Sequence, residues 1–349
     1  MTERPLNPRR SIRTVDSHTE GNPTRVIVGG VPVPPGDSLF DRQRWLARHD
    51  DELRRLLCFE PRGGGLMCAV LLMPAVTEDA HFSVLIMEQE AYVPMSGHCI
   101  IGAATTVVET GMVAVQEGLT VVKFDTPAGR VVCLVETVEG NAVAVSFDNV
   151  DSFLDREGVL LDTRSLGLLS VDIAYGGDYY AIVDADAISL GLTPDNDAAI
   201  IRVATEVRRA VAEQLSIQHP EKPEINECYQ VMFVSDVVAE GDYKQTIVSP
   251  PGAIDRSPCG TGTSARLACL YSRGQIGLGE ARNFEGILGT TFEGSVIGEQ
   301  KRAGRTFVSP RVRGRAWITG YNHLVLASDD PFPGGFQMGP RPLSAQAID

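Results

Sequence analysis

The sequence predicts an α+β fold of two similar domains, each a curved mixed β-sheet wrapped around a central helix. Three observations lead there. Short β-rich segments separated by turn residues fill most of the chain, only a few segments have helical character, and two of those match each other in layout. These are SGHCIIGAATTVVETG at 96–111 and CGTGTSARLACLYSRG at 259–274. At 349 residues the chain is about twice a typical single domain, which suits a duplicated plan.

Along the first half, FDRQRWLARHDDELRRLL (40–57) has helical periodicity. The segments LMCAVLLM, HFSVLIM, LTVVKFDT, RVVCLVETV and AVAVSFDNV then read as strands, punctuated by PRGGG, TPAG and EGN. The second half repeats the theme with VDIAYGG, YYAIVDA, ECYQVMFVS, KQTIVSP, GSVIGE and RAWITGY, interrupted by a helix over 197–217. The two matched stretches each follow a proline, Pro94 and Pro258, and each reaches a glycine fifteen positions after its start, where a helix C-terminus favours one. The first has no charge before Glu109 and the second only Arg266 before Arg273, so neither has the polar face of a surface helix. Each is expected to be a central helix, the first in a domain over 1–150 carrying Ser96 and the second in a domain over 151–349 carrying Cys259. The C-terminal segment of the second is a candidate to return to the first.

A net charge of −14 argues against nucleic acid or an anionic membrane surface as partner. The N-terminal MTERPLNPRRSIRT has no apolar core of a signal peptide and no apolar run reaches membrane-spanning length, so a cytoplasmic protein is expected. The seven cysteines form no C-x-x-C pair and have no histidine at zinc-finger spacing; neither a disulfide framework nor a structural zinc site is expected. Most sit among apolar residues, as buried small hydrophobes do. Cys259 differs, because the Gly-Thr-Gly-Thr after it offers amides and hydroxyls where a core would call for apolar bulk. A helix N-terminus carries about half a positive charge, which lowers the pKa of a thiol placed there and attracts a carboxylate. Two such termini facing each other, with Ser96 and Cys259 at matched positions, would place one proton-transferring group on each side of a small anion.

No cofactor is expected. Neither a dinucleotide-binding G-x-G-x-x-G nor a P-loop occurs, and none of the four lysines (123, 222, 244, 301) has the setting of a Schiff base. His18 reads as a hydrogen-bonded structural histidine, Tyr179 and Tyr180 serve equally as pocket wall or strand packing, and Arg311, Arg313 and Arg315 alternate as one solvated strand face.

Across DSHTEGNPTRVIVGG (16–30), PRGGGLMCAVLLMP (61–74), PMSGHCIIGAATTVVETG (94–111), TPAGRV (126–131), GGDYYAIVD (176–184) and DRSPCGTGTSARLA (255–268), the chain resembles the proline racemase superfamily. That group includes hydroxyproline 2-epimerases and 3-hydroxyproline dehydratases and is related in fold to diaminopimelate epimerase. The resemblance implies Ser96 and Cys259 as the catalytic acid/base pair. It implies Gly97, His98, Asp255, Gly260 and Thr261 as substrate-binding residues, with the Asp255 carboxylate facing a ring ammonium. The implied partner is a small proline-type imino acid; no metal is implied, and a homodimer stays open.

The chain departs from the racemases at Ser96, where they carry a second cysteine. A serine hydroxyl is a poor base unless a neighbour activates it, so two-way racemisation is expected to suffer. Dehydration of trans-3-hydroxy-L-proline asks less, because its Cα hydrogen and 3-hydroxyl share one ring face and one residue can serve both. The leading expectation is therefore cofactor-independent dehydration of trans-3-hydroxy-L-proline to 1-pyrroline-2-carboxylate. The alternative is 4-hydroxyproline 2-epimerisation or proline racemisation, and a third is an inactive amino-acid-binding protein. Either Ser96, activated by His98 or by the helix dipole, or Cys259 would take the Cα proton.

Overall fold

The structure, a computed structural model, describes residues 10–236, 242–302 and 304–338. Most of the N-terminal stretch considered above for a signal peptide, and the end of the expected second domain, lie outside the described residues.

The first half contains strands β1 (Arg10–Thr19), β2 (Asn22–Gly29), β3 (Cys68–Pro74), β4 (Phe82–Met87), β5 (Tyr92–Val93), β6 (Gly118–Thr126), β7 (Gly129–Val138) and β8 (Asn141–Asp148). Its helices are α1 (Leu39–His49), α2 (Asp51–Cys58) and α3 (Gly97–Glu109). The second half contains β9 (Phe153–Thr163), β10 (Gly167–Tyr175), β11 (Tyr179–Asp184), β12 (Gln230–Ser235), β13 (Tyr243–Ser249), β14 (Ala253–Ile254), β15 (Ala281–Glu285), β16 (Thr291–Arg302), β17 (Arg305–Gly314) and β18 (Ala316–Leu326), with helices α4 (Asp197–Gln214) and α5 (Gly260–Ser272).

The pairings of the two halves repeat. In the first, β1 pairs antiparallel with β2, β2 parallel with β3 across α1 and α2, β3 antiparallel with β4, and β4 both antiparallel with β5 and parallel with β6 across α3. In the second, β10 to β11, β11 parallel to β12 across α4, β12 to β13, β13 to β14, and β13 parallel to β15 across α5 follow the same sequence. The fold is therefore α+β with mixed curved sheets around two central helices, as the matched helix stretches imply. The halves share strands: β8 pairs with β17, and β18, last of the described strands, runs along β1 from Arg10↔Leu326 to Thr19↔Ala316.

Both central helices are enclosed because their residues are small or apolar. Every residue of α3 from Gly97 to Val108 is buried, as is α5 from Gly260 to Leu270. Ile100 and Ile101 are fully buried, each contributing about 1.5–3 kcal/mol by leaving water. Arg266, the one charge inside α5, is accommodated over the Tyr243 ring and on the Lys244 carbonyl. The helix expected over 40–57 is broken in two at Asp50, whose carboxylate is tied to Arg10 of β1 at 2.8 Å and so does not cap α2. The arginine alternation forms a partly solvated face in which Arg311 pairs with Asp148 of β8 and Arg313 reaches past it to Glu136 of β7. His18 stacks on Trp317 and accepts from the Gly21 N–H at 3.2 Å.

One buried ion pair anchors the segment leading to the functional cleft. Arg25 on β2 makes a bidentate contact with Asp16 (3.0 and 2.7 Å) and donates to the carbonyls of Leu57 (2.9 Å) and Arg62 (2.6 Å). Gln89 holds the same loop from the other side through the carbonyls of Cys58, Gly64 and Met67. Arg25→Ala leaves the partly buried Asp16 carboxylate with the Thr14 hydroxyl as its remaining donor and takes the side-chain donor from two carbonyls, and should cost about 3 kcal/mol in denaturant unfolding. Arg25→Lys, lacking the fork geometry, should recover only part of that. A loss below about 1 kcal/mol for the alanine variant would show that the pair does not hold the loop. Among the described residues no helix is long and apolar enough to cross a membrane.

Candidate active site

The two matched helices start against each other. A Cβ added to Gly97 would lie 2.5 Å from the Gly260 Cα, and one added to Gly260 would lie 2.7 Å from the Gly97 Cα, with the Phe147 ring within 2.9 Å of both. Only glycine permits that approach. Ser96 and Cys259 are the residues immediately before these glycines, each at the N-cap of its helix, and both line one cleft.

The two N-caps differ in detail. Cys259 has φ +68°, sparsely populated for a side-chain-bearing residue and costing about 1–3 kcal/mol. A short relay holds it there: its N–H donates to Ser257 Oγ (3.1 Å), and Ser257 donates through both its N–H and its hydroxyl to Asp255 Oδ1 (2.9 Å each). Its Sγ then accepts from the Gly262 N–H (3.3 Å) and meets the Tyr180 hydroxyl (3.4 Å), which itself bonds Thr261 Oγ1 (2.6 Å). Ser96 is in extended backbone (φ −145°) and does not cap its helix; its Oγ lies 3.2 Å from His98 Nδ1 instead.

Burial opposes charge on the His98 ring, but Cys99, Asp255 and Glu88 outweigh it and push the imidazole up to about 9. The hydrogen bonds decide which nitrogen carries the proton when the ring is neutral. The Arg256 N–H can only donate, and it donates to Asn22 Oδ1 at 3.1 Å; the amino end of that amide therefore faces His98 Nε2, also at 3.1 Å. Nε2 is then an acceptor, and Nδ1 carries the proton it donates to Ser96 Oγ. Cys99 Sγ also contacts Nε2, at 3.4 Å.

Three carboxyls share the cleft with these groups. Burial pushes Asp178 up to about 7, against a 3.2 Å bond from Gln230, and pushes Glu88 up to about 8. Asp255 is likewise raised, chiefly by burial. Sequence reasoning expects the helix terminus to lower the Cys259 pKa, and the structure reverses this. Burial and then the Asp255 charge push the thiol well above its ordinary range, outweighing the bonds from Tyr180, Gly262 and Thr261.

The proline racemase family model matches residues 14–337. The chain belongs to the proline racemase family. It is 39% identical to a proline racemase of Clostridioides difficile over 94% of this chain and 98% of that protein. It is 40% identical to a 4-hydroxyproline 2-epimerase of Streptosporangium roseum over 95% of this chain and 99% of that one. The crystal structure of a hydroxyproline epimerase from Agrobacterium vitis, with bound trans-4-hydroxy-L-proline, superimposes with a TM-score of 0.90 at 34% identity, covering 94% of this chain and 96% of that chain.

Within this proline racemase family member, Ser96, His98, Asp255, Cys259 and Thr261 all line the cleft, whereas Gly97 and Gly260 do not: they are packed on each other. Tyr180 is cleft wall, while Tyr179 packs against Phe153 in the core. Sequence reasoning did not single out Asn22, Cys68, Glu88, Gln89, Asp178 or Gln230, which the fold brings to the same cleft. Asn22 and Asp178 lie inside the family-like stretches 16–30 and 176–184, which carry a local signal; Glu88 and Gln89 follow an ordinary strand and carry none.

Two outcomes follow from this geometry. Gly97→Ala forces the helix starts apart and should destabilise the protein by at least about 1–3 kcal/mol, with loss of any activity that needs both N-caps; a variant of unchanged melting temperature would mean that the contact is loose. Because Cys259 is a thiol at neutral pH, its alkylation rate, followed by mass spectrometry, should climb about tenfold per pH unit from 7 to 9. A plateau in that range would place its pKa lower than the site implies.

Proposed function

We propose that this protein is a cofactor-independent isomerase that inverts Cα of a proline-type imino acid, with 4-hydroxyproline 2-epimerisation as its leading activity. One observation carries the reading: Ser96 and Cys259 stand at the N-cap positions of two buried helices whose first glycines touch, and both line one cleft, which suits one proton-transferring side chain on each face of a small ring. The relatives support it, since proteins named proline racemase and 4-hydroxyproline 2-epimerase match this chain over nearly their whole length. They favour this reading over the dehydratase that the lone serine first suggests.

Inversion breaks the Cα–H bond on one face and makes a new one on the other, with no net oxidation, so an acid and a base suffice. The amides of the first turns of α3 and α5 lack intrahelical acceptors and suit the substrate carboxylate. Asp255 and Asp178 suit its ring ammonium. That ammonium also activates the site: once it offsets the Asp255 charge, the Cys259 thiol loses one of the two influences that hold it protonated, and the thiolate needed to take the Cα proton becomes accessible. On the other face Ser96, whose oxygen already accepts from His98, presents its own proton to the carbanion.

The Ser96 hydroxyl also keeps dehydration as a second reading, because a single competent residue on the Cys259 side would serve a substrate whose proton and leaving hydroxyl share a face. Proton NMR in D₂O with trans-4-hydroxy-L-proline, L-proline and trans-3-hydroxy-L-proline tests both. Deuterium should enter Cα of 4-hydroxyproline with appearance of its 2-epimer, and Cys259→Ala should slow this by about 10²-fold or more. Absence of Cα exchange in all three substrates would overturn the isomerase reading; loss of water from the 3-hydroxy isomer outpacing epimerisation would promote the dehydratase.

A further inference from the structure

The proposed two-base chemistry leaves one difficulty, since a serine hydroxyl is far less acidic than the thiol that faces it. From the contacts around His98 we infer that Cys99 supplies the missing thiol, holding the proton for the Ser96 face and exchanging it with Ser96 through the imidazole. This inference rests on the isomerase reading. The three groups are in line of contact: Ser96 Oγ to His98 Nδ1 is 3.2 Å, and His98 Nε2 to Cys99 Sγ is 3.4 Å. All three residues are buried, with Cys99 fully enclosed, so bulk water does not short-circuit the path.

The tautomer is the right one for it. Asn22 leaves Nε2 as an acceptor and the ring proton on Nδ1, facing Ser96. When Ser96 gives its proton to Cα, its O–H bond breaks and a Cα–H bond forms. The Nδ1 proton then moves to the alkoxide, the Cys99 S–H proton moves to Nε2, and the remaining electron pair stays on the Cys99 sulfur. Meanwhile Cys259 has gained the proton removed from the other face, so the net change is one proton moved from Cys99 to Cys259 by way of substrate. The reverse direction runs the same steps backwards, and Cys99 thiolate makes Ser96 a base.

A thiolate at Cys99 has support in place. Burial opposes it, but the hydrogen bond from Cys68 and the positive charge His98 takes on when Nε2 gains the proton, with a smaller contribution from Ser96, hold the thiol well below its ordinary range. Asn22 pulls the other way by favouring an unprotonated Nε2. Opposed influences of this kind keep the proton movable between sulfur and nitrogen, as a reversible isomerase requires.

Cys99 touches no substrate in this scheme and acts through His98 as a positioning residue, so the test needs a readout that simple packing would not move. Epimerisation of 4-hydroxyproline would be measured for wild type, Cys99→Ala, the near-isosteric Cys99→Ser, Ser96→Cys, and Ser96→Cys combined with Cys99→Ala, with melting temperatures for each. Cys99→Ala and Cys99→Ser should lower kcat by about 10²-fold, with KM changed by less than about threefold. In the Ser96→Cys background, where a thiol stands at the first position itself, Cys99→Ala should change kcat by less than about threefold. A kcat within about threefold of wild type in the folded Cys99→Ser variant, or a loss that persists undiminished in the Ser96→Cys background, overturns the relay alone. A wild-type enzyme that exchanges no Cα hydrogen overturns the isomerase reading and the relay with it.

Discussion

The arrangement depends on the contact between Gly97 and Gly260. Two helix N-termini carry like partial charges, so bringing them together is unfavourable unless something negative lies between them. The protein holds them there by covalent topology and by packing: α3 and α5 each lie inside their own curved sheet, the sheets are joined at β8–β17, and Phe147 of β8 fills the notch beside both glycines. Asn149 adds a polar stitch, donating to the Gly176 carbonyl (2.6 Å) and Ser264 Oγ (2.9 Å) on the α5 side. A cleft at the junction thus has anion affinity built into its backbone, independently of any side chain.

The side chains of the cleft are arranged against that positive end. Glu88, Asp178 and Asp255 bring three carboxyls, and each is raised by burial because the cleft offers too little water or cationic charge to support all of them ionised. A zwitterion satisfies both needs at once, its carboxylate at the helix starts and its ammonium among the acids. Each pKa unit regained is worth about 1.4 kcal/mol, so even partial relief at Cys259 is substantial on the scale of a proton-transfer barrier. The resting thiol is thereby protected, and its reactivity is tied to occupancy.

Much of this was legible in the sequence, and the reasons for the rest are physical. The two central helices announced themselves through a preceding proline, a nucleophile, a glycine and an uncharged run, all local features. The glycine-to-glycine contact itself was not legible, since nothing in Gly97 or Gly260 alone says that another backbone lies against it. The direction of the Cys259 pKa was misjudged for a related reason. A helix terminus is a local property, whereas burial and the position of Asp255 depend on how the second sheet closes. Likewise the break at Asp50 follows from Arg10, forty residues away, and Glu88 enters the cleft only because β4 ends there.

The duplicated fold makes the two N-caps equivalent in topology but not in what surrounds them. Cys259 is strapped by main chain and hydroxyls: Ser257 fixes its backbone at positive φ, Gly262 donates to its sulfur, and Tyr180 and Thr261 close around it. A hydroxyl in its place would sit among hydroxyl and amide donors with nowhere to pass a proton. Ser96 has no such strap and faces an imidazole whose far nitrogen touches a second thiol. A serine is therefore tolerable on this side and not on the other, because the element that sets proton affinity has moved from the N-cap to the third residue of the helix while the geometry facing the ring has stayed the same. On this view the departure from a two-cysteine pair is a relocation of sulfur within one turn of α3.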